Sequence, residues 1–180
     1  MELLDTVEGL EYTYSMSSKC LRIKISYNQL LTQVEINVAE ECSSVSASTA
    51  SMAAATGQLS RIIRVMDYSV AMAHKLAAWN ERQLVRDLYD LFYYYVYLKA
   101  LPDMGVLQER LKKVASTPRN KNPKIMSMKQ LLEKLEMKLQ SLNADHIQEL
   151  ADYLPADNLP GLELRLKTNL LKLCEELETE

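Results

Sequence analysis

Two seven-residue runs near the N-terminus alternate apolar and polar side chains without a break. In residues 21–27, Leu21, Ile23, Ile25 and Tyr27 fall on one side and Arg22, Lys24 and Ser26 on the other. In residues 32–38, Val34, Ile36 and Val38 oppose Gln33, Glu35 and Asn37. A period of two over this length is the pattern of half-buried strands, and the short link Asn28–Leu31 fits an antiparallel pair. Residues 12–16 predict a further short strand, and residues 61–66 predict another. Residues 43–60, rich in Ser, Ala and Thr and free of charge, read as a loop or a weak small-residue helix.

From Val70 the period changes. Val70, Ala73, His74 and Ala77 share one helical stripe with Leu76 and Trp79 beside it, and Asp67 or Ser69 is placed to cap its start. A polar break is expected over Asn80–Val85. A second helix follows from about Leu84 to Lys99, through Leu88, Leu91, Phe92, Tyr95 and Leu98. Its aromatic run Phe92-Tyr93-Tyr94-Tyr95 suits a buried helix face better than base stacking. More helices are expected near 106–116, 125–142, 144–153 and 160–178. Met126 and Ser127 open the second of these, and Leu131, Leu135, Met137, Leu139 and Leu142 supply its apolar side. Residues 117–124 form a basic, proline-bounded loop. Only four Gly and five Pro punctuate the chain, too few for an all-β sandwich and in keeping with long helices. The fold class expected is α+β. A small antiparallel sheet region, 1–68, with strands near 12–16, 21–27, 32–38 and 61–66, precedes a helical C-terminal domain, 69–180.

Composition narrows function. No run of eighteen apolar residues occurs and the first residues lack the features of a signal peptide, so no membrane partner and a cytoplasmic location are expected. Cys20, Cys42 and Cys174 are odd in number and far apart, without zinc spacing, and only two His occur. Residues 108–138 carry nine basic and three acidic side chains, or +6, whereas residues 141–180 carry three basic and nine acidic, or −6. The basic stretch could attract phosphates, but a solvated helix face answered by the acidic tail is the plainer reading.

The most unusual local sequence is Ala73-His74-Lys75-Leu76-Ala77-Ala78-Trp79 followed by Arg86-Asp87-Leu88-Tyr89-Asp90-Leu91. Arg86 and Asp90 are four apart and Asp87 and Asp90 three apart, so each pair occupies neighbouring rows of one helix face. Lys75 lies on the preceding helix, where a tight turn would bring it near. Such a group offers cations for phosphates and carboxylates that hold those cations in place. An ion-pair network that staples two helices is the structural alternative.

The string K-L-A-A-x7-R-D-L-Y-D-L resembles the C-terminal signature of the AbiEii/AbiGii nucleotidyltransferase toxins of abortive-infection toxin–antitoxin pairs, and Val34-Glu35-Ile36-Asn37 resembles one of that family's strands. The resemblance covers about residues 21–100. It implies a polymerase-β-like nucleotidyltransferase core joined to a helical domain, with Mg²⁺ and a nucleoside triphosphate as cofactors and nucleotide transfer to an acceptor such as tRNA. Carried over residue by residue, it makes Lys75, Asp87 and Glu35 catalytic, Lys75 and Arg86 nucleotide-binding, Asp90 and Arg82 supporting, and Glu35 a metal ligand. The family's Gly-Ser turn and Asp-x-Asp motif do not occur in this sequence. The expectation is therefore an N-terminally truncated member, weakly active or inactive alone, whose partner is an antitoxin or a companion chain that carries the missing motif. The alternative is a non-enzymatic interaction module or regulator that binds a partner through an exposed sheet edge.

Overall fold

The computed structural model describes residues 5–18, 20–37, 43–114 and 126–179. The basic loop expected at 117–124 lies outside these residues, as do Val38 and Cys42. The chain divides into two units, Met1–Cys42 and Ser43–Glu180. Small antiparallel sheets followed by helices make it an α+β protein.

The first unit is a three-stranded meander of β1 (Leu10–Met16), β2 (Cys20–Tyr27) and β3 (Leu30–Asn37). Both pairings are antiparallel, with Tyr12 opposite Ile25, Tyr14 opposite Ile23 and Ile23 opposite Val34. The β2–β3 turn is tighter than its four-residue link suggests. Asn28 and Gln29 alone make it, with φ of 47° and 67°. Two successive positive φ values match the right-handed twist of the flanking strands, so Tyr27 already pairs with Leu30. The register gathers the alternating apolar residues of all three strands onto one face. Glu11, Arg22, Lys24, Gln33 and Glu35 take the other.

The second unit begins with a surprise in the Ser/Ala-rich stretch. Residues 44–48 form a strand, β4 (Ser44–Ser48), and only then does a short helix, α1 (Ala50–Thr56), follow. β4 pairs with β5 (Ile62–Met66), Val45 opposite Val65 and Ala47 opposite Ile63. The strand expected at 61–66 thus takes its partner from a stretch read as loop or helix. Gly57, at φ 66°, ends α1 by donating its N–H to the Ala53 carbonyl.

Two helices then build the corner that carries the sequence signature, α2 (Tyr68–Arg82) and α3 (Val85–Val96). The Asp67 carboxylate caps α2, accepting from the Ser69 N–H at 2.9 Å and the Ser69 hydroxyl at 2.6 Å. These bonds hold the Asp67 carboxyl below its usual pKa. The polar break expected at Asn80–Val85 shrinks to Gln83 and Leu84. Asn80 stays helical because it is buried and its side-chain and main-chain oxygens both find a donor in Lys134. Gln83, at φ 56°, turns the chain by donating its N–H to the Trp79 carbonyl.

The remaining helices are α4 (Met104–Val114), α5 (Met128–Ser141), α6 (Ala144–Gln148) and α7 (Leu162–Glu178). Ser127 and Gln130 form a reciprocal capping box at the start of α5. α2 packs on α3 and α4, α5 packs on α7, and α3 also meets α7. Leu131, Leu135 and Leu139 of α5 and Leu166, Leu170, Leu173 and Leu177 of α7 are buried at three- and four-residue spacings. That is the stripe a helix needs to face a neighbour. Met137, expected on the apolar side of α5, instead leaves 70% of its surface exposed. Two residues from both Leu135 and Leu139, or about 200° round the helix, it lies opposite the stripe. None of the described helices is long and apolar enough to cross a membrane.

Replacing Leu135, which is fully buried, by Ala should lower the unfolding free energy by about 2–5 kcal/mol. Met137→Ala should change it by less than about 0.5 kcal/mol. Urea denaturation of the full chain measures both, and equal losses would place the core on a different face of α5.

Candidate functional site

The α2–α3 corner collects most of the residues that the sequence singled out. Lys75 sits midway along α2 and its Nζ donates to Asp90 Oδ2 on α3 at 2.6 Å. At the corner itself, Arg82 Nη2 donates to Asp87 Oδ1, also at 2.6 Å. Two ion pairs therefore cross between the helices. Their surroundings differ. The Lys75 and Asp90 side chains remain 39% and 37% exposed, whereas Asp87 is 1% exposed beneath an Arg82 that is 46% exposed. Water screens the first pair, and such pairs contribute about 1 kcal/mol or less. In the second, a carboxylate is buried and its counter-charge comes from a guanidinium at the surface.

Burial of Asp87 follows from helix geometry. It lies in the first turn of α3, where acidic groups are favoured by exposed backbone N–H groups. Its neighbours in phase, Leu88, Leu91 and Val85, point into the core. Asp87 Oδ1 is answered by Arg82, but Oδ2 is buried with no hydrogen-bond partner among the described residues. A buried carboxylate oxygen without a partner is costly.

Arg86 behaves differently from its neighbours. It is exposed, and it forms no ion pair among the described residues. Instead of pairing with Asp90 one turn on, it lines a cleft of about 370 Å³ with Leu84, Glu149, Leu150, Asp152 and Tyr153. Asp90 has turned to Lys75 on the other helix. Glu35 belongs to the first unit. Its Oε1 accepts from Arg22 Nε at 2.6 Å and Gln33 Nε2 at 2.8 Å, as the cross-strand pairing of Arg22 with Glu35 allows.

Three further residues act on this corner. Tyr94, part of the aromatic run, feels both members of the Lys75–Asp90 pair. Burial raises its hydroxyl pKa, Lys75 opposes the rise and Asp90 adds to it. Its ring meets Tyr68 edge-on at 6.3 Å. Lys134 reaches from α5 to the C-terminal end of α2, donating to the Asn80 carbonyl at 3.0 Å and to Asn80 Oδ1 at 2.9 Å. It also lies 5.9 Å from the centre of the Trp79 ring. Partial burial lowers its pKa. Arg110 on α4 braces the same end of α2 through Glu81 at 3.2 Å. The sequence signal for Lys134 was its place one residue from Leu135, but on a helix that mixes three Lys with two Glu it reads as one more solvated charge.

The described residues do not fit a magnesium site. Among the described residues, no three His, Cys, Asp or Glu side chains lie close enough together to hold a metal ion. The groups that touch Glu35 are a guanidinium and an amide, both donors to its oxygen. Magnesium requires a shell of several oxygen ligands.

An α+β chain with a Lys-bearing helix ion-paired to an Arg-Asp-x-x-Asp helix is thus the class of protein at hand. A model of the AbiEii nucleotidyl transferase toxin family, of a type IV toxin–antitoxin system, matches residues 6–167, and the chain belongs to that family. Membership implies an antitoxin counterpart. No curated protein and no solved structure matches the chain.

Removing Arg82 should cost more than removing Lys75. Arg82→Ala strands the buried Asp87 carboxylate and should lower stability by about 3 kcal/mol. Lys75→Ala releases a half-exposed carboxylate to water and should cost less than about 1 kcal/mol. Urea melts at pH 7 compare the two, and the reverse order would contradict the burial assigned to Asp87.

Proposed function

We propose that this chain takes part in nucleotide transfer from a nucleoside triphosphate to an RNA acceptor such as tRNA, with the α2–α3 corner facing the phosphates. Lys75 and Arg86 bind the phosphate oxygens. Asp90 holds Lys75 in place, and the buried Asp87 fixes Arg82 over the same corner. The observation that carries this reading is the pair of inter-helix ion pairs, Lys75–Asp90 and Arg82–Asp87, inside the Lys75…Arg86-Asp87-x-x-Asp90 pattern of a chain that belongs to a nucleotidyl transferase family. A phosphate group needs cations held in place, and of these two Lys75 has a carboxylate, Asp90, to hold it, whereas Arg86 stands exposed without one among the described residues.

Transfer also needs carboxylates for the metal, and the described residues do not supply them. The sequence has neither a Gly-Ser step nor an Asp-x-Asp pair. The chain therefore transfers weakly or not at all alone, and a companion chain with those motifs completes the site. The eight exposed residues of β3, at the edge of its sheet, support a second reading in which the chain is a regulator that binds a partner strand without catalysis.

Incubation with labelled triphosphates, Mg²⁺ and total RNA tests these readings. The chain alone should leave the RNA at background, and addition of a companion with Gly-Ser and Asp-x-Asp should label tRNA-sized species. In that mixture Lys75→Ala should abolish labelling, and Arg86→Ala should weaken triphosphate binding about 10-fold, the loss of one charge-assisted contact. Full labelling by the chain alone would overturn the need for a companion. No labelling in either case would favour the regulator.

A further inference from the structure

The β1–β2–β3 meander has an apolar face that the described residues of its own unit touch at one border, where the Tyr12 hydroxyl donates to Asp5 at 2.7 Å and Gly9 lies beside Tyr27. Twelve positions point to that face by register, and not one carries a charge; Thr32 is the exception to an otherwise apolar or aromatic set. Tyr14, Met16, Leu30, Val34 and Ile36 each expose between 41% and 78% of their surface. With large side chains at roughly 150–200 Å² each, these five and their half-buried neighbours leave on the order of 700 Å² of apolar surface. Monomeric proteins seldom leave a contiguous apolar patch above roughly 300–600 Å² uncovered. A stable protein interface takes about 800 Å² from each partner.

We propose that this face is the contact surface of a homodimer, in which two copies of the chain pack sheet on sheet about a two-fold axis. The area is close to what a stable dimer requires from each copy. The face is also compatible with itself. A two-fold axis brings each residue's surroundings against an identical set, so any charge on the face would meet its like. All four charged residues of the meander strands, Glu11, Arg22, Lys24 and Glu35, lie on the opposite face and stay in water, and the one carboxylate that touches the apolar face, Asp5 on the Tyr12 hydroxyl, is exposed beside the edge strand β1. Two twisted sheets packed this way stand about 10 Å apart and interdigitate their apolar side chains. Association buries the face that the meander cannot cover itself, so dimerisation and stability of the first unit are coupled. This surface is independent of the transfer chemistry assigned to the α2–α3 corner.

Sedimentation equilibrium of the full chain over roughly 0.5–50 µM tests the proposal, a window that covers the weak, micromolar end of the affinities such interfaces show. The wild type should fit a monomer–dimer equilibrium that closes at two copies. Val34→Lys places two unpaired lysines in the interface and should raise the dimer dissociation constant at least ~100-fold with an unchanged circular dichroism spectrum. Tyr14→Lys, on the other edge strand and 62% exposed, should do the same and serves where Val34→Lys fails to fold. Gln33→Lys, on the polar face, should leave the constant unchanged within about 3-fold, as expected of a substitution outside the contact. A wild-type monomer at every concentration, open-ended association beyond two copies, or an undiminished dimer in the folded apolar-face variants would overturn it.

Discussion

One buried carboxylate organises the second unit. Asp87 is 1% exposed and is held by a single guanidinium from the last residue of the preceding helix. That contact sets where α2 must end and α3 must begin. Arg82 reaches Asp87 only because Gln83 adopts a positive φ and Leu84 restarts the helix at once. The second ion pair, Lys75 with Asp90, spans the same two helices three residues further along α3. Either pair alone would tolerate rotation of one helix against the other. Together they fix it, and the apolar contacts of Leu76, Ala77, Leu88 and Leu91 fill the seam beneath them.

The same corner is supported from outside. Lys134 and Arg110, from α5 and α4, both end on the last turn of α2. The carbonyls at a helix C-terminus are unsatisfied and slightly negative, and a cation there offsets both deficits. Half-buried Lys134 gives up part of its hydration for this, which is why its pKa falls. The effect is a rigid platform under the signature residues. A site that handles phosphate gains from such rigidity, because the cations are in place before the anion arrives.

Legibility in the sequence followed the amplitude of each pattern. β2 and β3 were readable because Ile, Leu and Val alternate with Arg, Lys and Glu, a contrast that survives any window. β4 was not, because Ser44-Val45-Ser46-Ala47-Ser48 alternates between residues of nearly equal size. It forms by pairing with the strongly apolar β5, a long-range cause that local inspection misses. The break at Asn80–Val85 was overestimated because Asn reads as a helix breaker when its partner is unknown, and that partner is 54 residues away. In the candidate site, helical spacing placed Arg86, Asp87 and Asp90 on adjoining rows of one helix. It did not say which rows meet α2, and the tertiary partners, Lys75 and Arg82, took both carboxylates and left Arg86 in a separate cleft. The family, by contrast, was carried by spacing between two helices, a feature that sequence records in full.

The central claim is that the charges on α2 and α3 are arranged for a triphosphate and do more than staple two helices together. The most direct measurement exchanges one pair. In the double variant Lys75→Asp with Asp90→Lys, the ion pair is kept and its polarity reversed, while unfolding free energy and affinity for a non-hydrolysable nucleoside triphosphate are read on the same protein. Stability should return to within about 1 kcal/mol of wild type, the scale of a half-exposed pair. Triphosphate affinity should fall at least ~10-fold, since a carboxylate now stands where the ammonium was. Recovery of both stability and affinity would show that the pair is only a staple.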